Sequence, residues 1–319
     1  MIDAQAERLR ARVAAAGIAP VAAAPQVVAA PRLARTVAVA SGKGGVGKST
    51  VALGIAMAAA ERGVRTALVD ADLGMANLDL LCGVRPERTV ADWLGGRAQL
   101  TQCFVTVAPR LWLLPGASGM SRMADLLPPQ RARLVEGLAR VSQHVQLLVI
   151  DLGAGIGAGT LDIACAADRL LLVATPEPTS MADAYGFAKA CVRHGRRGGW
   201  ACAATMANGR DDGERALERL SGTARRHLGI EFERVGIVAH DASVPQAVRA
   251  RVPLLVHAPS SPAARAIRAI ESRLAGQGDS EARDGGFLVS LAARMGMQFG
   301  QSAAAAAAGI AALGGIVTR

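Results

Sequence analysis

The chain has 319 residues, 51% of them hydrophobic and 19% charged, a composition typical of a globular protein with one large or two small domains. The net charge of +10 reflects either a general arginine bias or an anionic partner such as acidic lipid, nucleic acid or nucleotide, and charge alone does not choose between them. The five cysteines include no C-x-x-C pair, which argues against a disulfide framework, a zinc site or a paired-cysteine cluster.

The N-terminal part of the chain is predicted to form a short helix over 1–16 followed by a Pro/Ala-rich linker over 17–34. The first residues alternate charge with alanine and contain no apolar core, so they do not form a signal peptide. We therefore expect a cytoplasmic protein.

From residue 35 to 275, short apolar runs alternate with helical patterns. Seven runs are predicted to be buried strands: 36–40, 66–69, 111–114, 145–150, 170–174, 201–205 and 235–239. The helices predicted between them include 49–62, 129–143, 180–194 and 212–228. Strands that alternate with helices and are apolar on both faces predict one α/β domain, with a mostly parallel sheet covered by helices on both faces.

A phosphate-binding loop is predicted at SGKGGVGKST, residues 41–50, where G-x-x-x-x-G-K-[ST] stands between a predicted strand and a predicted helix. Glycines let successive N–H groups turn toward phosphate oxygens, and the helix N-terminus adds partial positive charge. The predicted nucleotide-binding residues are Gly44, Gly45, Val46, Gly47, Lys48, Ser49 and Thr50. Lys48 is expected to contact the β- and γ-phosphates and Ser49 to bind Mg²⁺, so the P-loop NTPase pattern predicts ATP and Mg²⁺ as cofactors.

Three carboxylates are expected beside this loop. Asp70 and Asp72 follow the strand predicted over 66–69, and Asp151 ends the strand predicted over 145–150 in a Walker B pattern. Because the carboxyl ends of parallel strands meet at one edge of a sheet, these groups should lie near the loop. Asp151 is predicted to hold Mg²⁺ through water, whereas Asp70 and Asp72 either complete the site or cap a turn.

The extra lysine at position 43 makes the loop resemble the deviant Walker A class, the MinD/ParA-like ATPases. The resemblance implies that Lys43 crosses a dimer interface to the partner's nucleotide, so that ATP closes a homodimer. It also implies that Asp72 positions the attacking water and that Asp70 lies near Mg²⁺. Lys43, Lys48 and Asp72 are accordingly the predicted catalytic residues of an ATP hydrolase that is slow and stimulated by a partner.

The same resemblance implies where adenine binds. The family usually has an Asn where Thr205 stands, with Asn208 nearby in this chain, and the segment 239–248 resembles the loop that packs on the base. Thr205 and Asp241 are therefore the predicted base-binding residues.

The runs 70–83 and 174–185 resemble the FlhG/FleN branch of flagellar-number regulators more than plasmid ParA. Gln5, Ala6, Leu9 and Arg10 are similar to that branch's activating helix, D-Q-A-x-x-L-R, although Ala4 shifts the acidic residue by one. The resemblance implies an FlhF-type GTPase as partner, with a flagellar basal-body protein or a transcriptional regulator as further partners. The alternative is an ordinary charged amphipathic helix.

The C-terminal end is predicted to hold a linker over 276–286, an amphipathic helix over 287–301 and an Ala/Gly-rich tail over 302–319. Apolar residues recur at helical spacing at Phe287, Leu288, Leu291, Met295 and Phe299. The resemblance implies a membrane-targeting helix that binds reversibly to the inner face of the cytoplasmic membrane. Packing of this helix on the domain fits the pattern equally well.

These predictions together favour an ATP-dependent dimerising switch ATPase that regulates flagellar number and placement by acting on FlhF at the membrane. One alternative is a ParA-like cargo- or chromosome-positioning ATPase that binds DNA non-specifically through its basic surface. Another is a nucleotide-sensing scaffold with little hydrolysis.

Overall fold

The computed structural model describes residues 33–72, 74–116, 126–276 and 286–296. The predicted N-terminal helix with Gln5, Ala6, Leu9 and Arg10, most of both linkers, Phe299 and the tail lie outside these ranges. In the described part of the chain, no helix has both the length and the apolar character that a membrane span requires.

An eight-stranded sheet forms the centre of the described structure, in the order β3-β4-β2-β5-β1-β6-β7-β8. Its strands are β1 (Arg35–Ala40), β2 (Thr66–Ala71), β3 (Val105–Ala108), β4 (Leu111–Leu114), β5 (Leu147–Leu152), β6 (Arg169–Ala174), β7 (Trp200–Ala207) and β8 (Glu233–Ala239). All neighbours pair in parallel except β3 and β4, which are antiparallel. The seven predicted strands and the α/β fold class are confirmed.

The strand that the sequence did not predict is β3. It has four residues, is only half-buried and lies at the edge of the sheet. It joins β4 through a tight turn in which Arg110 has a φ of 66°. A short edge strand with one neighbour needs no continuous apolar run, so its sequence carries little strand signal.

Eleven helices surround the sheet within the described residues. They are α1 (Lys48–Glu61), α2 (Leu78–Cys82), α3 (Val90–Leu94), α4 (Pro128–His144), α5 (Ala158–Ala166), α6 (Pro178–Arg193), α7 (Arg210–Leu228), α8 (Ser243–Ala250), α9 (Leu254–His257), α10 (Pro262–Gly276) and α11 (Gly286–Arg294). The four helices predicted between the strands are confirmed as α1, α4, α6 and α7.

Alternate residues of the strands bury their side chains on opposite faces of the sheet. In β1, Ala38 and Ala40 belong to one apolar cluster, and Val37 and Val39 belong to the other. Helices α4, α5, α6, α7 and α11 contribute to the first cluster, and α1, α8, α9 and α10 to the second. Each face of the sheet is therefore removed from water by a layer of helices, as its apolar strands require.

The last described helix, α11, packs on the domain against α4 and α5. Four apolar side chains of α11 and of the residue that follows it are buried: Phe287, Leu288, Leu291 and Met295. Arg294 fixes the end of the helix by donating from Nη1 to the carbonyl oxygen of His194, just after α6, over 2.6 Å. The structure therefore shows the packed arrangement, and lipid binding by these four side chains stays a prediction.

Candidate functional site

The predicted phosphate loop and two of the predicted carboxylates meet at one edge of the sheet. The loop, residues 41–47, connects β1 to α1. β5 lies between β1 and β2, with Asp151 in register with Val39 on one side and with Asp70 on the other. The strand order thus places the carboxyl groups directly beside the loop, as a parallel sheet dictates.

The loop owes its shape to glycines at particular points. Gly45 and Gly47 have φ values of 78° and 81°, in the left-handed region that favours glycine. Gly47 directly precedes α1, so the loop ends at a helix N-terminus, which favours anions. Gly42 has a different requirement, because a Cβ there would lie 2.1 Å from the backbone carbonyl carbon of Asp183 in α6.

A buried ion pair joins the loop to β5. Lys48 Nζ lies 2.6 Å from Asp151 Oδ1, and the two side chains are only 9% and 1% exposed. Burial raises the pKa of Asp151 above its ordinary value, although the Lys48 ammonium acts in the opposite direction. Lys48 Nζ also lies 3.4 Å from Ser49 Oγ, so the three groups predicted to bind phosphate and Mg²⁺ are adjacent.

The second oxygen of Asp151, Oδ2, is buried and has no hydrogen-bond partner among the described residues. A buried carboxylate oxygen without a donor fits a Mg²⁺ ion or a water bound to it. Within the residues that the structure describes, there is no group of three or more His, Cys, Asp or Glu side chains that could hold a metal ion by themselves. Because Mg²⁺ commonly takes one or two carboxylates and completes its shell with phosphates and water, the donor set suits a nucleotide-bound ion.

Asp70 has a different environment from Asp151. Its Oδ1 accepts the N–H of Asp72 over 3.1 Å, and its Oδ2 accepts those of Asn77 and Leu78 over 3.1 and 3.2 Å. Burial and the neighbouring Asp151 raise the pKa of Asp70, and the three N–H donors lower it. The raising effects are larger, so the pKa is about 7. The observed contacts are those of a turn cap, the alternative left open by the sequence, and a role at Mg²⁺ stays a prediction.

Asp72 lies at the edge of the same group. Its Oδ1 accepts the N–H of Met75 over 3.1 Å. A Cβ on Gly153 would lie 3.2 Å from that oxygen, so Asp72 lies against the Gly-rich loop that follows Asp151. Its role in orienting water stays a prediction.

Lys43 contacts the start of α6. Its Nζ lies 2.6 Å from Glu177 Oε2 and donates to Thr179 Oγ1 over 3.3 Å. The side chains of Lys43 and Glu177 are 33% and 65% exposed. Exposed ion pairs of this kind contribute about 0.2–1 kcal/mol, so Lys43 can exchange this partner for another anion at little cost.

The two residues predicted to bind the base form hydrogen bonds with other residues of the chain. Thr205 Oγ1 donates to the carbonyl oxygen of Val46 over 2.7 Å. Asp241 accepts the N–H and the hydroxyl of Ser243 on Oδ1, and the N–H of Ala263 on Oδ2. Partial burial acts to raise the pKa of Asp241, but these hydrogen bonds outweigh it and the pKa is lowered. Asp241 thus joins the starts of α8 and α10, a contact that sequence spacing could not predict.

Comparison with known proteins places the chain among nucleotide-binding domains. Residues 37–274 match the CobQ/CobB/MinD/ParA nucleotide binding domain family. The antiactivator FleN of Pseudomonas aeruginosa is 35% identical over 240 residues, which cover 75% of this chain and 86% of FleN. The flagellum site-determining protein YlxH of Helicobacter pylori is 30% identical over 225 residues, which cover 70% of this chain and 76% of YlxH.

A solved structure supports the fold independently of these sequences. The cell division ATPase MinD of Pyrococcus furiosus matches with a TM-score of 0.64 and 23% identity, covering 77% of this chain and 100% of that protein. At this identity the likeness establishes the fold alone.

Proposed function

Because the chain belongs to the CobQ/CobB/MinD/ParA nucleotide-binding family, we propose that it is an ATP-dependent switch that dimerises and regulates flagellar number and placement. The predicted resemblance to the FlhG/FleN branch is confirmed by the identities with FleN and YlxH. The observation that carries the proposal is the buried Lys48–Asp151 pair beside the phosphate loop, with Lys43 at a more exposed position of the same loop.

The chemistry follows from the positions of these groups. The loop N–H groups and the start of α1 receive the phosphates of ATP, and Lys48 turns from Asp151 toward the β- and γ-phosphates. Ser49 and Asp151 would hold Mg²⁺, which would supply positive charge to neutralise the phosphates during hydrolysis. Asp72 orients the attacking water, and hydrolysis to ADP and phosphate reopens the dimer. Turnover is slow until a partner stimulates it.

Lys43→Ala is expected to prevent dimerisation. Wild type should dimerise with Mg²⁺ and a non-hydrolysed ATP analogue and stay monomeric with ADP, whereas Lys43→Ala should stay monomeric with both. The reason is that Lys43 can leave the exposed Glu177 at little cost and bind the phosphates of the partner subunit. Size-exclusion chromatography with light scattering measures the oligomeric state.

Lys189→Ala is the matched control, because Lys189 is an exposed lysine on α6, outside the phosphate loop. It should dimerise like wild type. Calorimetry must show that Lys43→Ala still binds the analogue with an affinity within about threefold of wild type. This measurement excludes the possibility that the variant fails to dimerise because it no longer binds nucleotide. A Lys43→Ala dimer of normal stability would contradict the proposed role of this lysine.

The proposed partner is an FlhF-type GTPase. Deletion of residues 1–16 is expected to abolish the stimulation of GTP hydrolysis by an FlhF-type GTPase and to leave ATP-dependent dimerisation intact, because β1 begins at Arg35. Leu9→Ala should show the same loss. Glu7→Ala should not, because Glu7 stands at the first x of D-Q-A-x-x-L-R, where the motif requires no particular residue. Stimulation that survives the deletion would remove the support for an FlhF partner.

The proposed location is the cytoplasm, with reversible binding to the inner face of the cytoplasmic membrane through the apolar side of α11. Its four buried apolar residues support this proposal, because they form one continuous apolar face that lipid can accept in place of the domain.

A further inference from the structure

Thr205 makes a buried hydrogen bond to the phosphate loop that has no part in the chemistry proposed above. Its side chain is buried at 3% exposure, near the end of β7. Its hydroxyl lies 2.7 Å from the carbonyl oxygen of Val46 and 3.3 Å from that of Ala174. Because a hydroxyl carries one proton, the shorter contact identifies Val46 as the principal acceptor. This hydrogen bond, the Thr205 tether, ties β7 directly to the phosphate loop.

The geometry of the peptide bond means that the Thr205 tether also sets the direction of the Gly47 N–H. In a planar trans peptide, the carbonyl of residue 46 and the N–H of residue 47 point in opposite directions. Pulling the Val46 carbonyl toward β7 therefore directs the Gly47 N–H away from β7. Gly47 lies just before α1 with a φ of 81°, so this N–H is one of the donors at the helix N-terminus.

The beginning of the loop shows a similar arrangement. Ser41 is fully buried, and its Oγ donates to the carbonyl oxygen of Lys43 over 2.9 Å. By the same geometry this bond fixes the direction of the Gly44 N–H. Buried hydroxyls thus set peptide orientations near both ends of the glycine-rich segment before any anion arrives.

We propose that Thr205 is a positioning residue of the phosphate loop, that it directs the Gly47 N–H toward the polyphosphate, and that it does not select the base. The proposal rests on the proposed nucleotide-binding function and names a determinant within that site. Thr205 contributes equally to the binding of ATP, GTP and inorganic tripolyphosphate, because all three present phosphate oxygens to the loop.

The burial of Thr205 supports the second half of this proposal. Its hydroxyl proton is used by Val46, and its side chain has almost no exposed surface to offer a base. The next residue, Met206, is the exposed one, at 39%. The methyl carbon of Met206 lies 3.7 Å from where a Cβ on Gly47 would stand, so an apolar side chain covers the loop at this point.

The test compares wild type, Thr205→Val and Thr205→Ser in their affinity for ATP, GTP and inorganic tripolyphosphate, each with Mg²⁺, by calorimetry. Valine keeps the shape and removes the hydroxyl. We expect Thr205→Val to weaken all three affinities by the same factor, about tenfold, because the Gly47 N–H would no longer be oriented before binding and the phosphate would have to supply the free energy that orients it. Thr205→Ser should restore them to within about threefold of wild type.

Thr36→Val is the matched control. Thr36 is fully buried on β1, and its hydroxyl donates to Asp168 over 2.8 Å, near the end of the strand opposite the loop. It should lower thermal stability as Thr205→Val does and leave the tripolyphosphate affinity unchanged. A similar loss of tripolyphosphate affinity in Thr36→Val would assign the effect to general destabilisation and overturn the proposal.

Two other results of the affinity measurements would contradict the proposed role of Thr205. A loss confined to ATP would mean that Thr205 reads adenine, and unchanged affinities for all three probes would mean that the tether does not position the loop; either result overturns the proposal. Wild type that binds none of the probes would instead refute the proposed nucleotide-binding function itself, so the two failures are distinguishable.

Discussion

Lys48→Met is expected to weaken nucleotide affinity roughly 100-fold, as for the loss of a strong charge-assisted contact, and to destabilise the fold at the same time. The second effect arises because Asp151 is 1% exposed and Lys48 Nζ lies 2.6 Å from it. Removing the ammonium leaves a buried carboxylate without its cation, which costs about 3–5 kcal/mol. Calorimetry with ATP and Mg²⁺ measures the first effect, and chemical denaturation without nucleotide measures the second.

The double variant Lys48→Met with Asp151→Asn separates these two effects. The amide removes the buried charge, so most of the lost stability should return, while nucleotide affinity should stay low because both predicted ligands are changed. If Lys48→Met alone were as stable as wild type, the buried pair would not hold the loop in the free protein. Recovery of affinity in the double variant would show that Lys48 is not a phosphate ligand.

Leu291→Ala is expected to loosen α11 and to increase binding to vesicles in the absence of nucleotide. Leu291 is fully buried where α11 packs against α4 and α5. Truncation of such a leucine destabilises packing by about 2–5 kcal/mol. Hydrogen exchange of the α11 amides measures the loosening, and flotation with anionic lipid vesicles measures the binding.

Val289→Ala provides the control on the same helix, because Val289 is 39% exposed. It should change neither amide exchange nor flotation by much. If Leu291→Ala exchanges faster but does not float with vesicles, α11 packs as described and its three remaining buried apolar side chains, Phe287, Leu288 and Met295, have no affinity for lipid. That result would refute the membrane proposal and leave the rest of the switch untouched.

Much of the fold could be predicted because its signals are local. Each parallel strand reads as a continuous apolar run, since both faces are buried, and the phosphate loop has a fixed spacing of glycines and lysines. Of the 36 cationic residues, only Lys43, Lys48 and Lys189 are lysines. In a chain with so strong an arginine bias, lysine at positions 43 and 48 supports a requirement for a compact ammonium group there.

The remaining features depend on contacts between distant parts of the chain. The sequence predicted that Asp70, Asp241 and Thr205 would lie near the site, but it could not show which backbone groups they would meet. Asp70 and Asp241 accept N–H donors from later turns, and Thr205 donates across 159 residues to Val46. The apolar stripe of α11 was ambiguous for a similar reason, because a helix that packs on protein and one that packs on lipid need the same pattern.

The contact between Gly42 and α6 changes what the first glycine of the loop signifies. Glycine is usually taken to give a loop freedom, but here it lets two backbones touch, since a Cβ would lie 2.1 Å from Asp183. The constraint at position 42 therefore comes from a neighbouring helix, and it would persist in a descendant that had lost its ligand altogether. During divergence, this glycine should outlast the chemistry of the site, so its presence in a relative is evidence of common architecture and not of retained catalysis.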